Sequence, residues 1–127
     1  MENLDQLNAL SYKIIGCAMK VHAELGPGLL ETVYETCLEY ELKKSGFSVE
    51  RQKPIPIIYD NVIQEIAFKY DLLVENLILI EVKAVDTLAP IFTIKTLTYL
   101  KFTYIKLGLI INFNVVHLKD GIKRLIL

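Results

Sequence analysis

The stretch Tyr70-Asp71-Leu72-Leu73-Val74-Glu75-Asn76-Leu77-Ile78-Leu79-Ile80-Glu81-Val82-Lys83 decides the fold. Two apolar runs of strand length flank Glu75-Asn76, a pair suited to a tight turn, so antiparallel strands are expected over Val62 to Val74 and Leu77 to Val85. Side chains alternate along a strand, which puts Glu81 and Lys83 on one face and Ile80 and Val82 on the other. Pairing centred on the turn sets Asp71 roughly alongside Ile80 and Glu81. Two carboxylates and a lysine then converge at one strand end.

Upstream of this pair, Val49, Ile55, Ile57 and Tyr59 predict another strand, whose Pro54 and Pro56 suit a sheet edge. Earlier still, Leu7, Ile14, Cys17, Ala18, Val21 and Leu25 recur at helical spacing, giving a helix from Leu4 to Leu25 that Gly26-Pro27-Gly28 ends. A second helix runs to Ser45-Gly46, with Leu30, Val33, Tyr34, Cys37, Leu38 and Leu42 on its apolar side and Glu35, Glu39 and Lys43 opposite. Glu41 falls near the middle of the apolar stripe and is expected to pair with Arg51 or a lysine. Downstream, Pro90 can open a third helix, carried to about Lys106 by Ile91, Ile94, Leu97, Leu100, Tyr104 and Ile105. Leu107 to Phe113 then reads as a buried strand reached by a crossover, and Ile122 to Leu127 as a short last strand. The order α, α, β, β, β, α, β, β predicts an α/β (α+β) sandwich.

A chain of 127 residues fits one domain, residues 1–127, with an N-terminal helix at 4–25 and a core at 28–127. With 53% hydrophobic and 23% charged residues it can bury a real core. Its net charge of -1 argues against a protein that grips nucleic acid mainly by charge. Cys17 and Cys37 lack metal-knuckle spacing and read as buried free thiols, and two histidines are too few for a His-rich zinc site. Any metal should therefore have oxygen ligands. No uncharged apolar run approaches the roughly 18 residues a bilayer span needs. Met1 to Gln6 carry Glu2 and Asp5 and no cation, unlike a secretory n-region, so a cytoplasmic location is expected. Mean hydropathy of +0.38 leaves more apolar surface than a small core hides, which makes a symmetric homodimer an expectation.

The convergence at the strand end suits metal-assisted phosphodiester hydrolysis. Mg2+ (or Mn2+) takes oxygen ligands, usually one or two carboxylates with retained waters, and Asp71 with Glu81 supplies that pair. Lys83 could orient the attacking water or offset charge growing on the phosphorane-like transition state. The competing reading of Glu81 and Lys83 is an exposed ion pair on a solvent-facing strand.

In this setting Asp71, Glu81 and Lys83 resemble the D…ExK signature of the PD-(D/E)XK nuclease superfamily, whose core runs α, β, β, β, α, β. Gly28-Leu29-Leu30-Glu31-Thr32-Val33-Tyr34 is similar to the stretch that names the GxxExxY family within it, and the likeness extends from about Val21 to Arg124. The resemblance implies a restriction-endonuclease-like fold with a mixed sheet, a DNA or RNA substrate, and a first-helix carboxylate at Glu31 joining Asp71 and Glu81 at the metal. The competing role for Glu31 is to stabilise its helix N-terminus. Two positions depart from the pattern. Lys95 stands where many relatives carry a Gln four residues before a Tyr, here Tyr99, and Phe92 replaces a polar residue. Lys95 and Tyr99 are thus expected in supporting roles, with the Lys95 ammonium competing for the acids. His22 matches a position beside the glycine bend, though a lone His at a helix end more often makes a structural hydrogen bond. Two functions follow: a Mg2+-dependent nuclease, or a binding or scaffold protein that keeps the fold.

Overall fold

The computed structural model describes residues 3–127; Met1 and Glu2, part of the opening charge pattern, lie outside the described residues. Helix α1 (Leu4–Leu25) begins at a reciprocal cap, in which Asn3 Oδ1 accepts from the Gln6 N–H at 2.8 Å and Gln6 Oε1 accepts from the Asn3 N–H at 3.0 Å. It ends at Gly26, whose φ of +68° is open to glycine and costly for other residues. Helix α2 (Glu31–Lys44) follows, and Tyr34 ties the bend between them: its hydroxyl donates to Gly26 O at 2.6 Å and accepts from the Leu29 N–H at 3.1 Å. Its ring stacks on Phe113 at 4.7 Å, which pins the bend to the sheet.

Five strands follow, β1 (Val49–Tyr59), β2 (Val62–Val74), β3 (Ile78–Lys83), β4 (Leu107–Asn112) and β5 (Ile122–Ile126), lying side by side in that order. Every neighbouring pair is antiparallel except β3 and β4, whose parallel pairing requires the crossover made by α3 (Pro90–Thr103). Helices α1 and α2 cover one face, packing Ile14, Ala18, Leu38 and Leu42 on Leu72, Ile78, Ile80, Val82 and Leu109. The other face receives α3, with Leu100 among Leu79, Ile110 and Leu125. A Cβ at Gly108 of β4 would stand 3.3 Å from the Leu100 methyls, so glycine there permits the close approach of α3. The α+β layout and mixed sheet match the sequence expectation.

Local assignments differ in three places. On α3 the fully buried residues are Thr96 and Leu100, while Ile91, Ile94 and Tyr104 are exposed, because the helix lies on the sheet over a narrow contact. Leu30 is the exposed N-cap of α2, so the apolar stripe of that helix starts one turn later, at Tyr34. Cys17 and Cys37 are free thiols but half-buried.

Strand β2 contains the feature that builds the site. Tyr70 joins the cluster under α3, whereas Leu72, two residues on, joins the cluster under α1 and α2. Regular alternation would send both the same way. The strand therefore turns over at Asp71. Opposite it on β1, between the pairs Arg51–Leu72 and Lys53–Tyr70, Gln52 adopts a left-handed φ of +53°. Such a conformation is strained for a side-chain-bearing residue and persists where its surroundings fix it.

Candidate active site

The hydrogen-bonded register of β2 with β3 runs from Val74–Ile78 to Leu72–Ile80 and stops. Beyond it, side chains take over from the ladder. The Asp71 N–H donates to Glu81 Oε2 at 2.8 Å, and the Val82 N–H donates to Asp71 Oδ2 at 2.8 Å. The two carboxylates are interlocked in the gap where β2 leaves β3. Glu81 is buried on the α3 side of the sheet, and Asp71 is half-buried beside it.

A third carboxylate arrives from the opposite face. Glu35, buried in the second turn of α2, accepts from Arg51 Nε at 2.8 Å and from Gln52 Nε2 at 2.9 Å. The same Gln52 amide donates to Asp71 Oδ1 at 3.1 Å, so one NH2 group links the helix acid to the strand acid. Arg51 also reaches Glu39 Oε1 at 3.3 Å. The left-handed turn at Gln52 aims this side chain between Glu35 and Asp71.

Crowding of acids shows in their proton affinity. Burial, followed by the negative charge of Asp71, pushes Glu81 up to about 8. Burial likewise raises Asp71 to about 6, with Glu35 adding to the shift and the Val82 N–H opposing it. Near neutral pH the pair therefore retains a proton between them. Tyr99 lies within reach of these charges: burial first, then Glu81 and Asp71, raise its phenol, and its ring stacks on Phe68 at 4.3 Å.

Lys83 shares the α3 face with Glu81, and its Nζ lies 4.6 Å from the centroid of the Phe92 ring. None of the close ion pairs among the described residues involves it. The structure thus brings together Asp71, Glu81, Lys83 and Tyr99. It does not bring in Glu31, which is exposed in the first turn of α2, one turn short of the strands. Glu35 stands at the helix position expected of Glu31; the apolar stripe begins at Tyr34 rather than Leu30, which shifts the cleft-facing carboxylate one turn along. Lys95 is exposed and bonded to none of the acids, so its expected competition for them has no contact behind it. Glu41 pairs with Lys20 at 3.0 Å, because Arg51 is taken by Glu35 and Glu39. His22 is structural, bonded through Nε2 to Val115 O at 2.8 Å.

Among the described residues no group of three or more His, Cys, Asp or Glu side chains is set to hold a metal ion. The usable oxygens are those of Asp71 and Glu81, with Glu35 held off by Arg51 and Gln52. A mixed five-stranded sheet between helices, with an acid on its second strand and Glu-x-Lys on its third, defines a restriction-endonuclease-like core carrying an extra N-terminal helix. The chain belongs to the PD-(D/E)XK nuclease superfamily, which matches it over residues 8–125. Searches of curated proteins and of solved structures returned no match. No helix among the described residues is long and apolar enough to cross a membrane.

Proposed function

We propose that this chain is a divalent-metal-dependent nuclease of the GxxExxY type, acting on DNA or RNA in the cytoplasm as one domain over 1–127. The supporting observation is the interlocked Asp71–Glu81 pair at the end of the β2–β3 ladder, with Lys83 on the same face as Glu81. The pair suits Mg2+ or Mn2+, which take one or two carboxylates and keep several waters, better than an ion that needs a full cage of protein ligands. Bound there, such an ion would polarise a phosphate oxygen and acidify a water.

The chain's own residues supply the rest. Asp71 and Glu81 would be the ligands, and each is held in place by a backbone N–H. Lys83, resting against Phe92, would present a cation to the negative charge that grows on the phosphoryl oxygens as water adds and the bridging P–O bond breaks. Glu35 stands in reserve: Gln52 must swing away before this carboxylate and Asp71 can serve the same cation. Tyr99 fixes α3 against β2 through Phe68.

One observation favours the second reading, a binding protein that has kept the fold. All three acids already have hydrogen-bond donors from the protein, as they would in a site that no longer takes a cation. Cleavage of end-labelled single-stranded DNA, duplex DNA and RNA, at low salt with saturating Mn2+, separates the two. The nuclease reading expects cleavage that falls at least about a hundredfold in Lys83→Met and disappears in Asp71→Asn. Absence of cleavage of all three polymers, with the protein folded, leaves the binding reading.

A further inference from the structure

The net charge of -1 conceals a segregation along the chain. Residues 87–127 hold six cations against one acid, Asp120, whereas residues 1–86 hold eight cations against fourteen acids. From Thr87 to Lys119 there is no Asp or Glu at all. This acid-free stretch contains α3, which lies on the face of the sheet that carries Glu81 and Lys83. Lys95 and Lys101 stand exposed on α3 and Lys106 just beyond it, and none of the three is in a close ion pair among the described residues. Ile91, Lys95, Thr98 and Phe102 recur at spacings of four, three and four, which lines them along one side of the helix. That side starts beside the candidate site, because Phe92, one turn before Lys95, is the ring against which Lys83 rests.

The far end of the same helix holds an anomaly. Tyr104 caps it in the left-handed conformation, at φ +59° and ψ +24°, and is 93% exposed. Glycine is the usual residue at such a cap, since a β-carbon is strained there. At that exposure the ring packs against little, so the fold gains little from a tyrosine at this place. Around it runs Lys101-Phe102-Thr103-Tyr104-Ile105-Lys106, two aromatic rings between two lysines. Phe102 is 39% exposed, with Lys101 Nζ 5.5 Å from its ring centroid, and a groove of about 390 Å³ runs from Phe102 and Thr103 to Asn76. Exposed rings flanked by cations hold single-stranded nucleic acid without a large net charge: bases stack on the rings and ammonium groups meet phosphates. A duplex keeps its base faces inside the stack and cannot use the rings. From Phe92 to Phe102 the helix rises about 15 Å, the length of roughly four stacked nucleotides.

We propose that the exposed side of α3 is a binding track for single-stranded nucleic acid, in which bases stack on Phe102 and Tyr104 while Lys95, Lys101 and Lys106 meet the phosphates. It rests on the nuclease reading only in leading the strand to Asp71, Glu81 and Lys83; the binding itself requires neither a metal ion nor cleavage.

Fluorescence anisotropy of a short labelled oligo(dT) with the full chain, at low salt in EDTA, tests it. Wild type should bind at tens of micromolar protein or below. Tyr104→Gly removes the ring and relieves the left-handed backbone, so it should resist urea at least as well as wild type and yet bind about tenfold more weakly. Tyr104→Trp should bind as wild type does, and because the chain has no other tryptophan, quenching of its fluorescence by oligo(dT) reports stacking at this one position. Lys95→Ala and Lys101→Ala should each weaken binding a few-fold and lower its logarithmic salt slope by about 0.7, whereas Lys13→Ala, on α1 across the sheet, should do neither. Tyr104-dependent binding by a protein that cleaves nothing in Mn2+ upholds the track and removes the nuclease reading. A wild type that does not bind, one that binds duplex as tightly as oligo(dT), or a Tyr104→Gly variant that binds oligo(dT) as wild type does would each overturn the proposal. In the last case, loss of binding to phosphatidylserine vesicles in the same variant would assign the surface to a membrane instead.

Discussion

From Leu72 to Val74, β2 lies between two neighbouring strands and is buried, whereas from Val62 to Ala67 it has only β1 beside it and is exposed throughout. The same strand is core at one end and unsupported arm at the other. Asp71 marks the boundary. Carboxylates are expensive inside a packed sheet and inert on an open one; where a ladder stops, backbone N–H groups without strand partners become available to hold them. The Asp71 and Val82 N–H groups do this here.

Core truncation gives the largest expected contrast between the two ends. Leu72→Ala, at a fully buried position, should cost roughly 3 kcal/mol, and Ile66→Ala on the arm less than about 0.5 kcal/mol, by urea unfolding. Equal costs would mean that the arm is packed within the monomer.

Next in size is a pH effect confined to the boundary. Glu81 and Asp71 hold protons more tightly in the folded chain than in the unfolded one, where carboxyls titrate near 4. The native state therefore binds more protons across the window between the two, and stability falls as pH rises from about 4 to about 8. The loss between pH 5 and 8.5 should be of the order of 2 kcal/mol in thermal unfolding without divalent ions, and Glu81→Gln should flatten most of it. A wild-type profile that rises over this range would contradict the crowding of acids.

Tyr70, one residue from Asp71, gives a smaller effect. Its hydroxyl is the buried side-chain polar atom without a hydrogen-bond partner among the described residues, and burial raises its titration to about 12. Removing an unsatisfied buried group should help, so Tyr70→Phe is expected to stabilise by about 1 kcal/mol in the same urea assay. Smallest is Gln52→Ala. Freeing Glu35 and Asp71 from their shared amide donor should tighten Mn2+ binding a few-fold in calorimetry; weaker binding would make Gln52 a support of the ion site instead.

Much of this boundary was legible in the residues. The turn at Glu75-Asn76 fixed the pairing that juxtaposes Asp71 and Glu81, and the alternation placed Lys83 on the face of Glu81. The helical period and the glycine bend set α1 at Leu4–Leu25. Glu35 was hidden because Leu30 looks like the first residue of the apolar stripe, and a hydrophobic N-cap cannot be told from a core residue by spacing. The resemblance put the helix carboxylate at Glu31, which the structure leaves exposed, while Glu35, one turn on, is buried beside the strands. Gln52 carried no signal at all: its role depends on a left-handed backbone inside a strand, which neither glycine nor asparagine announces there. Tyr34, which ends the stretch from Gly28 to Tyr34, holds the helix bend through Gly26 and Leu29, so that part of the stretch is a structural lock.

The most direct test is calorimetric titration of Mn2+ into wild type, Asp71→Asn and Glu81→Gln at pH 7.5, with folding checked by circular dichroism. One site is expected in the wild type, with proton release on binding, and no measurable heat in either variant. A wild type that takes no Mn2+, or variants that bind it as the wild type does, would contradict the assignment of the end of the β2–β3 ladder as a metal site.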